Sequence, residues 1–268
     1  MNAENRRKHI LDKLSLLGTV SAKDLCGELS VTLQTIHNDF DALEKSEKII
    51  RTFGGAILNE QGIKDAVQGG IIHNGTYANR ISRFLENKIK IGSFAASLIT
   101  DFDTVFLDAG TTVFQVLDGI VSKKTERLVV LTNSIYVSTY LMNIPDVVHY
   151  LMGGTVKSSS MATVGFKTIE EIKRNRVNKV FLGADGMGND GFTVQDINES
   201  MTKLAMIDIA AEKYLLVDTS KISSPTFVEV AKFGVLDAVI TENGIFYIDK
   251  NNIEKSVEAI NNQKAVNT

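Results

Sequence analysis

The sequence has a single cysteine, Cys26, among its 268 residues, so no disulfide bond can form within the chain. It has no apolar run approaching the ~20 residues that a membrane-spanning helix requires. Its first residues also lack the apolar segment of a secretory signal peptide. These absences predict a cytoplasmic protein without a membrane partner, in which Cys26 packs as a small apolar side chain beside Leu25 and Leu29.

Motifs for metal, nucleotide and nucleophile chemistry are missing as well. The four histidines do not have the spacing of metal ligands. No Gly-x-Ser-x-Gly motif marks a nucleophile. Neither a Gly-x-Gly-x-x-Gly after a strand nor a P-loop marks a nucleotide site. We therefore predict no metal, no cofactor and no catalytic residue.

The net charge of −3 does not by itself indicate binding to nucleic acid. Residues 1–58 carry eight basic and eight acidic side chains, so this part of the chain is neutral. A DNA-binding unit of this composition would depend on local basic clusters and on dimerisation. One such cluster is Arg6, Arg7 and Lys8, which either contacts phosphates or forms an ordinary solvated first turn of a helix.

Residues 21–44 have the pattern of two short helices joined by a tight turn, preceded by a supporting helix at residues 4–17. Ser21 and Thr32 are suited to cap the two helices, because their hydroxyls can accept hydrogen bonds from free backbone N–H groups. Ile36, Phe40 and Leu43 recur at helical spacing and are expected to face the core. Such a pair is typical of DNA-binding domains, although short matches also arise by chance.

The second helix of this pair would turn polar side chains away from the core, at Gln34, Thr35, His37 and Asn38. Asparagine and glutamine can form paired hydrogen bonds with adenine, and threonine and histidine can contact bases or phosphates. The alternative interpretation is a helical hairpin with an ordinary solvated face.

A β-hairpin is predicted next, because β-prone residues flank Gly54 and Gly55 within residues 49–58. A hairpin directly after a recognition helix is a wing. Arg51 and Thr52 near its tip are candidates for contact with the DNA backbone or minor groove. We thus predict a winged helix-turn-helix domain at residues 1–58 and a polar, glycine-rich linker at residues 59–79.

Residues 80–268 alternate between helix and strand patterns, which predicts an α/β domain with a mostly parallel sheet covered by helices. The strands are predicted at residues 104–107, 128–131, 147–152, 179–182, 214–217, 238–241 and 246–248. The helices are predicted at residues 80–99, 112–120, 135–142, 166–175, 200–212 and 253–260.

Polar residues follow five of these strands, and the carboxyl edge of an open parallel sheet is where ligands bind. Gly110 would open a helix whose first amides and hydroxyls suit a phosphate group. Lys203 and Lys221 can neutralise a phosphate, although a single lysine is more commonly a solvated surface residue. The candidate effector-binding residues are Asp108, Gly110, Thr111, Thr112, Thr132, Asn133, Gly153, Gly154, Asp185, Gly186, Glu199, Lys203 and Lys221.

The order of these motifs resembles the DeoR family of bacterial sugar-operon regulators over roughly residues 4–243. The match runs from Thr35-Ile36-x-x-Asp39 and the Gly54-Gly55 wing to the polar loops that begin at Asp108, Thr132, Gly153, Gly183 and Asp218. The resemblance implies a sensor half similar in fold to ribose-5-phosphate isomerase. It also implies a repressor that binds an operator as a homo-oligomer, dimeric or tetrameric, and leaves it on binding a phosphorylated sugar or polyol. His37 and Asn38 stand where family members usually have two arginines.

The sequence is compatible with two functions. The first is a transcriptional regulator of a carbohydrate-utilisation operon, without enzymatic activity. The alternative is a sugar-phosphate isomerase-like enzyme, which the carboxylates of Asp108, Asp185 and Glu199 would suit. Isomerisation needs a positioned base, and no residue of the sequence shows clear activation for that role. A winged helix also has no part in isomerisation, so the regulator is the interpretation we adopt.

Overall fold

The structure is a computed structural model, and it describes residues 1–17, 19–52, 54–59, 77–123, 125–142, 144 and 147–263. Backbone contacts divide the chain into two compact units, Met1–Arg83 and Phe84–Thr268. Within the described ranges, no helix is both long and apolar enough to cross a lipid bilayer.

The first unit combines helices with a small antiparallel sheet. Its helices, within the ranges that the structure describes, are α1 (Ala3–Leu17), α2 (Ala22–Leu29), α3 (Leu33–Lys45) and α4 (Tyr77–Ser82). Its strands are β1 (Thr19–Ser21), β2 (Ile49–Thr52) and β3 (Gly55–Leu58), in the order β1–β3–β2. The hairpin pairs Thr52 with Gly55, as expected of a wing.

The predicted caps and apolar faces of the first unit are confirmed. Ser21 Oγ accepts a hydrogen bond from Asp24 N at 3.4 Å, and Thr32 Oγ1 accepts one from Thr35 N at 3.2 Å. Each cap satisfies one backbone donor that the start of a helix leaves free. The core of the unit is formed by Ile10, Leu14, Val20, Ala22, Leu25, Ile36, Phe40, Leu43, Ile49, Ala56 and Leu58.

Two features of the first unit were not predicted. Strand β1 pairs with β3, and a Cβ atom on Gly55 would lie only 2.0 Å from the Val20 carbonyl oxygen. Glycine at this position therefore permits the two backbones to approach. Of the predicted linker at 59–79, residues 60–76 lie outside the described part of the chain, and its last residues are helical because α4 begins at the buried Tyr77.

The second unit contains seven helices in its described residues. They are α5 (Leu85–Ser97), α6 (Thr111–Phe114), α7 (Val116–Lys123), α8 (Ile135–Leu141), α9 (Phe166–Lys173), α10 (Ile197–Ile209) and α11 (Ile253–Asn261). Phe84, with a left-handed φ of 55°, separates α5 from α4, so the helix predicted over residues 80–99 is two helices. The helix predicted over 112–120 is likewise broken, at Gln115. Helix α10 begins earlier than predicted because Asp196 caps it, and residues 210–212, predicted as its end, are the start of a strand.

The central sheet of the second unit has all seven predicted strands, with small shifts at their ends. They are β4 (Thr104–Leu107), β5 (Val129–Thr132), β6 (Val148–Leu151), β9 (Val177–Gly183), β12 (Ala210–Leu216), β14 (Ala238–Thr241) and β15 (Gly244–Tyr247). Their order is β15–β14–β12–β9–β4–β5–β6. Every neighbouring pair is parallel except β14 and β15. The predicted α/β class is confirmed.

Two smaller antiparallel sheets were not predicted, because their strands are short. One pairs β7 (Thr155–Lys157) with β8 (Ala162–Val164), and the other orders β10 (Gly186–Met187), β11 (Gly191–Val194) and β13 (Val228–Lys232). The central sheet packs its apolar side chains against α10 and this second small sheet, with Phe106, Leu182, Phe192, Met206 and Leu215 in one cluster.

Candidate DNA-reading helix and effector site

Helix α3 presents its predicted polar face to solvent. Gln34 and Asn38 are exposed, and the Gln34 amide Nε2 donates a hydrogen bond to Asn38 Oδ1 at 3.0 Å. Thr35 and His37 are half-buried. These side chains lie opposite the buried Ile36 and Phe40, so the amphipathic pattern read from the sequence is present.

Arg51 on the wing strand β2 is directed at helix α3. Its Nη1 donates to Asp41 Oδ1 at 2.5 Å, and its Nη2 lies 2.6 Å from His37 Nδ1. The guanidinium therefore joins the wing to helix α3. The neighbouring Thr52 is half-buried, and its Oγ1 has no hydrogen-bond partner within the described residues.

Two arginines of the basic cluster at the start of α1 bind a buried carboxylate, a role that was not predicted. Asp39 on α3 is fully buried and accepts hydrogen bonds from Arg6 Nε, from Arg6 Nη2 at 3.1 Å and from Arg7 Nε at 3.0 Å. Arg6 is itself buried, so it is neither a phosphate contact nor a solvated residue, and both expectations for it were wrong. Only Lys8 of the three is exposed.

The five predicted polar loops lie at one edge of the central sheet, because β4, β5, β6, β9 and β12 run parallel. Asp108, directly after β4, lies at the centre of this edge. It is buried, accepts a hydrogen bond from Gly183 N at 2.9 Å and forms an ion pair with Lys203 of α10. The structure thus brings together residues from three elements that are far apart in sequence.

Gly110 follows on the same loop, and a Cβ atom on it would lie 3.3 Å from Val113 Cγ2 and 3.5 Å from Gly183 Cα. Thr111 is half-buried and Thr112 is buried. The helix that they open, α6, has only four residues. Its dipole is therefore smaller than that of the longer helix that the sequence predicted.

The loop after β5 is held mainly by its own hydrogen bonds. Thr132 is fully buried, and its hydroxyl donates to the Leu107 carbonyl at 2.6 Å and accepts from Ser134 N at 3.0 Å. Asn133 is also buried and donates from Nδ2 to the Thr163 carbonyl at 3.1 Å. Its Oδ1 has no partner in the part of the chain described, which leaves one free acceptor at this edge.

The glycines after β6 pack against α9. Gly153 N donates to Glu171 Oε2 at 2.5 Å, and its carbonyl accepts from Thr168 Oγ1 at 2.8 Å. A Cβ atom on Gly154 would lie 1.9 Å from Thr168 Oγ1, and its φ of 149° also favours glycine. Close packing therefore accounts for this pair without a ligand.

The loop after β9 is similarly constrained. Asp185 is half-buried, and its Oδ2 accepts a hydrogen bond from Gln195 N at 3.0 Å. A Cβ atom on Gly186 would lie 1.9 Å from the Ser224 carbonyl oxygen, so glycine is needed for the approach of two backbones.

The remaining candidates are two charged residues with contrasting surroundings. Glu199 lies 3.1 Å from Lys157 Nζ, which lies equally far from the capping residue Asp196. Burial would raise the pKa of Asp196, but hydrogen bonds from Glu199 N and Lys157 outweigh it and hold that pKa below its usual range. Lys221 is half-buried, and its ammonium has no ion-pair partner among the described residues.

One buried carboxylate at this edge was not predicted. Glu242, directly after β14, accepts hydrogen bonds from Thr219 N, from Thr219 Oγ1 at 2.6 Å and from Asn87 Nδ2 at 2.8 Å. The position of a glutamate immediately after a buried parallel strand was the available signal. Among described residues, no group of three His, Cys, Asp or Glu side chains is arranged to hold a metal ion.

A winged helix-turn-helix domain followed by an α/β domain is the arrangement of a DNA-binding regulatory protein. Family models agree with both parts. The DeoR-like helix-turn-helix domain matches residues 6–62, and the DeoR C-terminal sensor domain matches residues 83–243. The chain belongs to the DeoR family of transcriptional regulators, which confirms the resemblance seen in the sequence.

Curated relatives are similar along most of their length. A HTH-type transcriptional repressor, GlcR of Bacillus subtilis, is 32% identical over 95% of this chain and 96% of its own. The lactose phosphotransferase system repressor of Lactococcus lactis is 31% identical over 91% and 93%. The glycerol-3-phosphate regulon repressor of Escherichia coli is 29% identical over 90% and 92%. These relatives are transcriptional repressors and not enzymes.

Solved structures show weaker likeness. Ribose 5-phosphate isomerase A of Methanocaldococcus jannaschii covers 50% of this chain and 52% of its own, with 17% identity and a TM-score of 0.36. The translation initiation factor eIF-2B of Pyrococcus horikoshii covers 94% and 91%, with 16% identity and a TM-score of 0.45.

Proposed function

We propose that this protein represses a carbohydrate-utilisation operon and is released from its operator by a phosphorylated sugar or polyol. Residues 1–58 would bind the operator, residues 80–268 would bind the effector, and residues 59–79 would link them. The protein would act in the cytoplasm as a homo-oligomer, dimeric or tetrameric. Repressors named for lactose phosphotransfer and for glycerol 3-phosphate among its relatives support this class of effector.

The observation that carries the effector proposal is the Lys203–Asp108 pair at the carboxyl edge of the sheet. Both side chains are buried, and neither has a second charged partner among the described contacts. A ligand with a phosphate and several hydroxyls suits this pair, because the ammonium attracts the phosphate and the carboxylate accepts hydrogen bonds from hydroxyls. Lys221, which has no ion-pair partner among the residues that the structure describes, would supply further positive charge.

The DNA-binding proposal rests on the exposed face of α3 and on the wing beside it. Gln34, Asn38 and His37 would read base edges, while Thr35, Arg51 and Thr52 would complete the contact surface. The test is a binding titration of the full chain against the duplex upstream of its own operon, over a series of salt concentrations. We expect the logarithm of the binding constant to fall linearly with the logarithm of salt, as neutralised phosphates release counterions.

Absence of binding at low salt to that duplex and to a randomised duplex pool would refute the DNA-binding proposal.

The effector is tested separately, by the rise in unfolding temperature of the free protein with phosphorylated sugars and polyols. Unphosphorylated forms are the control. We expect stabilisation by one phosphorylated compound and none by its unphosphorylated form.

A further inference from the structure

The wing places the Arg51 guanidinium against one ring nitrogen of His37, on the exposed side of helix α3. The contact that carries the inference is the 2.6 Å separation between Arg51 Nη2 and His37 Nδ1. The inference about base reading rests on the proposed DNA-binding function. The contact itself lies wholly within the first unit.

An arginine side chain only donates hydrogen bonds, because it stays protonated and has no acceptor atom. His37 Nδ1 must therefore be the acceptor, with a lone pair and no proton. A neutral imidazole with a bare Nδ1 carries its proton on Nε2. The 2.6 Å contact thus assigns a neutral His37 with an Nε2–H donor.

Asp41 holds Arg51 in this position. Its Oδ1 accepts from Arg51 Nη1 at 2.5 Å, so the planar guanidinium is fixed by two hydrogen bonds to residues one helical turn apart on α3. We define Arg51, Asp41 and His37 as the wing clamp. Since Asp41 is exposed on the same face, the clamp also neutralises a carboxylate that would otherwise repel DNA phosphates.

We propose that the wing clamp makes His37 a hydrogen-bond donor to base acceptors in the major groove. The matching acceptors are N7 and O6 of guanine, N7 of adenine and O4 of thymine, whereas the amino groups of cytosine and adenine are donors and do not match. Arg51 is then a positioning residue for base reading. Loss of Arg51 should therefore alter the base preference at one base pair. Loss of a simple phosphate contact would instead weaken binding to all sequences alike.

The first test is nitrogen-15 NMR of the free full-length protein at mildly alkaline pH. The wild type should show a protonated Nε2 and an unprotonated Nδ1 for His37. Arg51→Met should lose this single tautomer and show exchange between the two forms. A proton on Nδ1 in the wild type would overturn the inference, whatever the protein does with DNA.

The second test uses duplexes that the protein selects from a randomised pool, followed by substitution of single base atoms. Replacing the purine N7 that His37 reads by a carbon, or thymine O4 by sulfur, should weaken wild-type binding about tenfold. The same substitution should leave His37→Ala unaffected. A loss of affinity on removing a base amino group instead, abolished by His37→Ala, would show that His37 accepts and would overturn the inference.

Lys45→Met is the matched control for Arg51→Met, because it removes an exposed cation from the end of the same helix without touching the wing clamp. Lys45→Met should lower affinity for all duplexes and keep the base preference, while Arg51→Met should relax that preference. An equal base preference in Lys45→Met and Arg51→Met would contradict the positioning role of Arg51. Failure of the wild type to bind any duplex would refute the DNA-binding function itself, and the base contact with it, whereas the NMR result would still report on the clamp.

Discussion

Each unit of the protein buries a carboxylate against a cation, but the two pairs are built differently. In the first unit, Asp39 accepts three N–H groups from two arginines and is fully buried. In the second, Asp108 faces one lysine ammonium and one backbone amide, from Gly183. The arginine fork fixes direction as well as charge, whereas an ammonium is a compact charge on a flexible stem.

The difference separates a structural pair from a candidate binding pair. Asp39 accepts three hydrogen bonds from side chains of α1, so it ties that helix to α3. Asp108 lies at a sheet edge that carries an unpaired acceptor, Asn133 Oδ1, and an unpaired cation, Lys221, within the described residues. Under the proposed function, an incoming ligand would exchange partners with the second pair, whereas the first pair would stay closed.

The largest expected effect is that of breaking the arginine pair. Asp39→Ala leaves Arg6 buried without a carboxylate, which should lower the free energy of unfolding of the first unit by about 3–5 kcal/mol. Urea denaturation combined with hydrogen exchange in α1 and α3 measures it. Glu44→Ala, at an exposed position of the same helix, is the control. A loss below about 1 kcal/mol, the size of an exposed pair, would contradict a structural role.

The second-largest expected effect tests whether the Lys203–Asp108 pair binds the effector. Stabilisation by the effector should reach about 2.7 kcal/mol at a concentration about 100 times Kd, and Lys203→Met should abolish it. Because that change also leaves Asp108 unpaired, Lys203→Met combined with Asp108→Asn is needed as a second, charge-neutral variant. Lys173→Met, at an exposed position on α9, is the control. Undiminished stabilisation in the double variant would exclude the pair from the effector site.

A third buried pair lies near the amino ends of β4 and β9, and its contribution to stability should depend on pH. Lys179 Nζ donates to both oxygens of Asp103, at 2.9 and 2.7 Å. Burial would raise the pKa of Asp103, but hydrogen bonds from Lys179 and Thr100 outweigh it and hold that pKa below its usual range. Folding thus favours the ionised carboxylate.

The stabilisation by Asp103 is therefore present above the pKa of an unfolded aspartate and is lost as pH falls through the lowered pKa of the folded state. Asp103→Asn should flatten this part of the acid dependence of the free energy of unfolding. Denaturant titrations at a series of acidic pH values measure it, with Asp101→Asn as the exposed comparison. Identical acid profiles for the wild type and Asp103→Asn would show that the lysine pair does not favour the ionised form.

The smallest effect concerns Asp41 of the wing clamp. Asp41→Asn removes a negative charge from the face that would meet DNA and keeps an oxygen that can accept from Arg51. It should therefore strengthen binding to all duplexes about two- to fivefold at low salt and keep the base preference. The gain should shrink as salt rises, because exposed charges are screened. Weaker binding by Asp41→Asn at every salt concentration would contradict this expectation. It would show that the contact between Asp41 and Arg51 favours DNA binding more than the negative charge of Asp41 opposes it.

The sequence was sufficient for features that depend on local pattern. Ser21 and Thr32 were recognised as caps because a hydroxyl before an apolar run at helical spacing has one main use. The strands of the central sheet were found from continuous β-prone runs. The edge on which their polar loops meet followed from the parallel topology alone.

Features that depend on approach between distant segments were not accessible. Asp39 and Arg6 are 33 residues apart, and nothing local marks them as partners. The use of Gly154 and Gly186 for close packing requires knowing that Thr168 and Ser224 lie against them. Thr132 stays a predicted effector residue, and the hydrogen bonds of its hydroxyl with Leu107 and Ser134 are revealed only by the folded loop.

The most direct test of the account is the affinity of the full-length protein for its selected duplex, with and without a phosphorylated compound that stabilises it. A repressor that is released by its effector should lose affinity about 5- to 150-fold, and the duplex should weaken effector binding by the same factor. Equal affinity for DNA in the free and effector-bound protein would contradict a coupling between the edge at Asp108 and the face of α3.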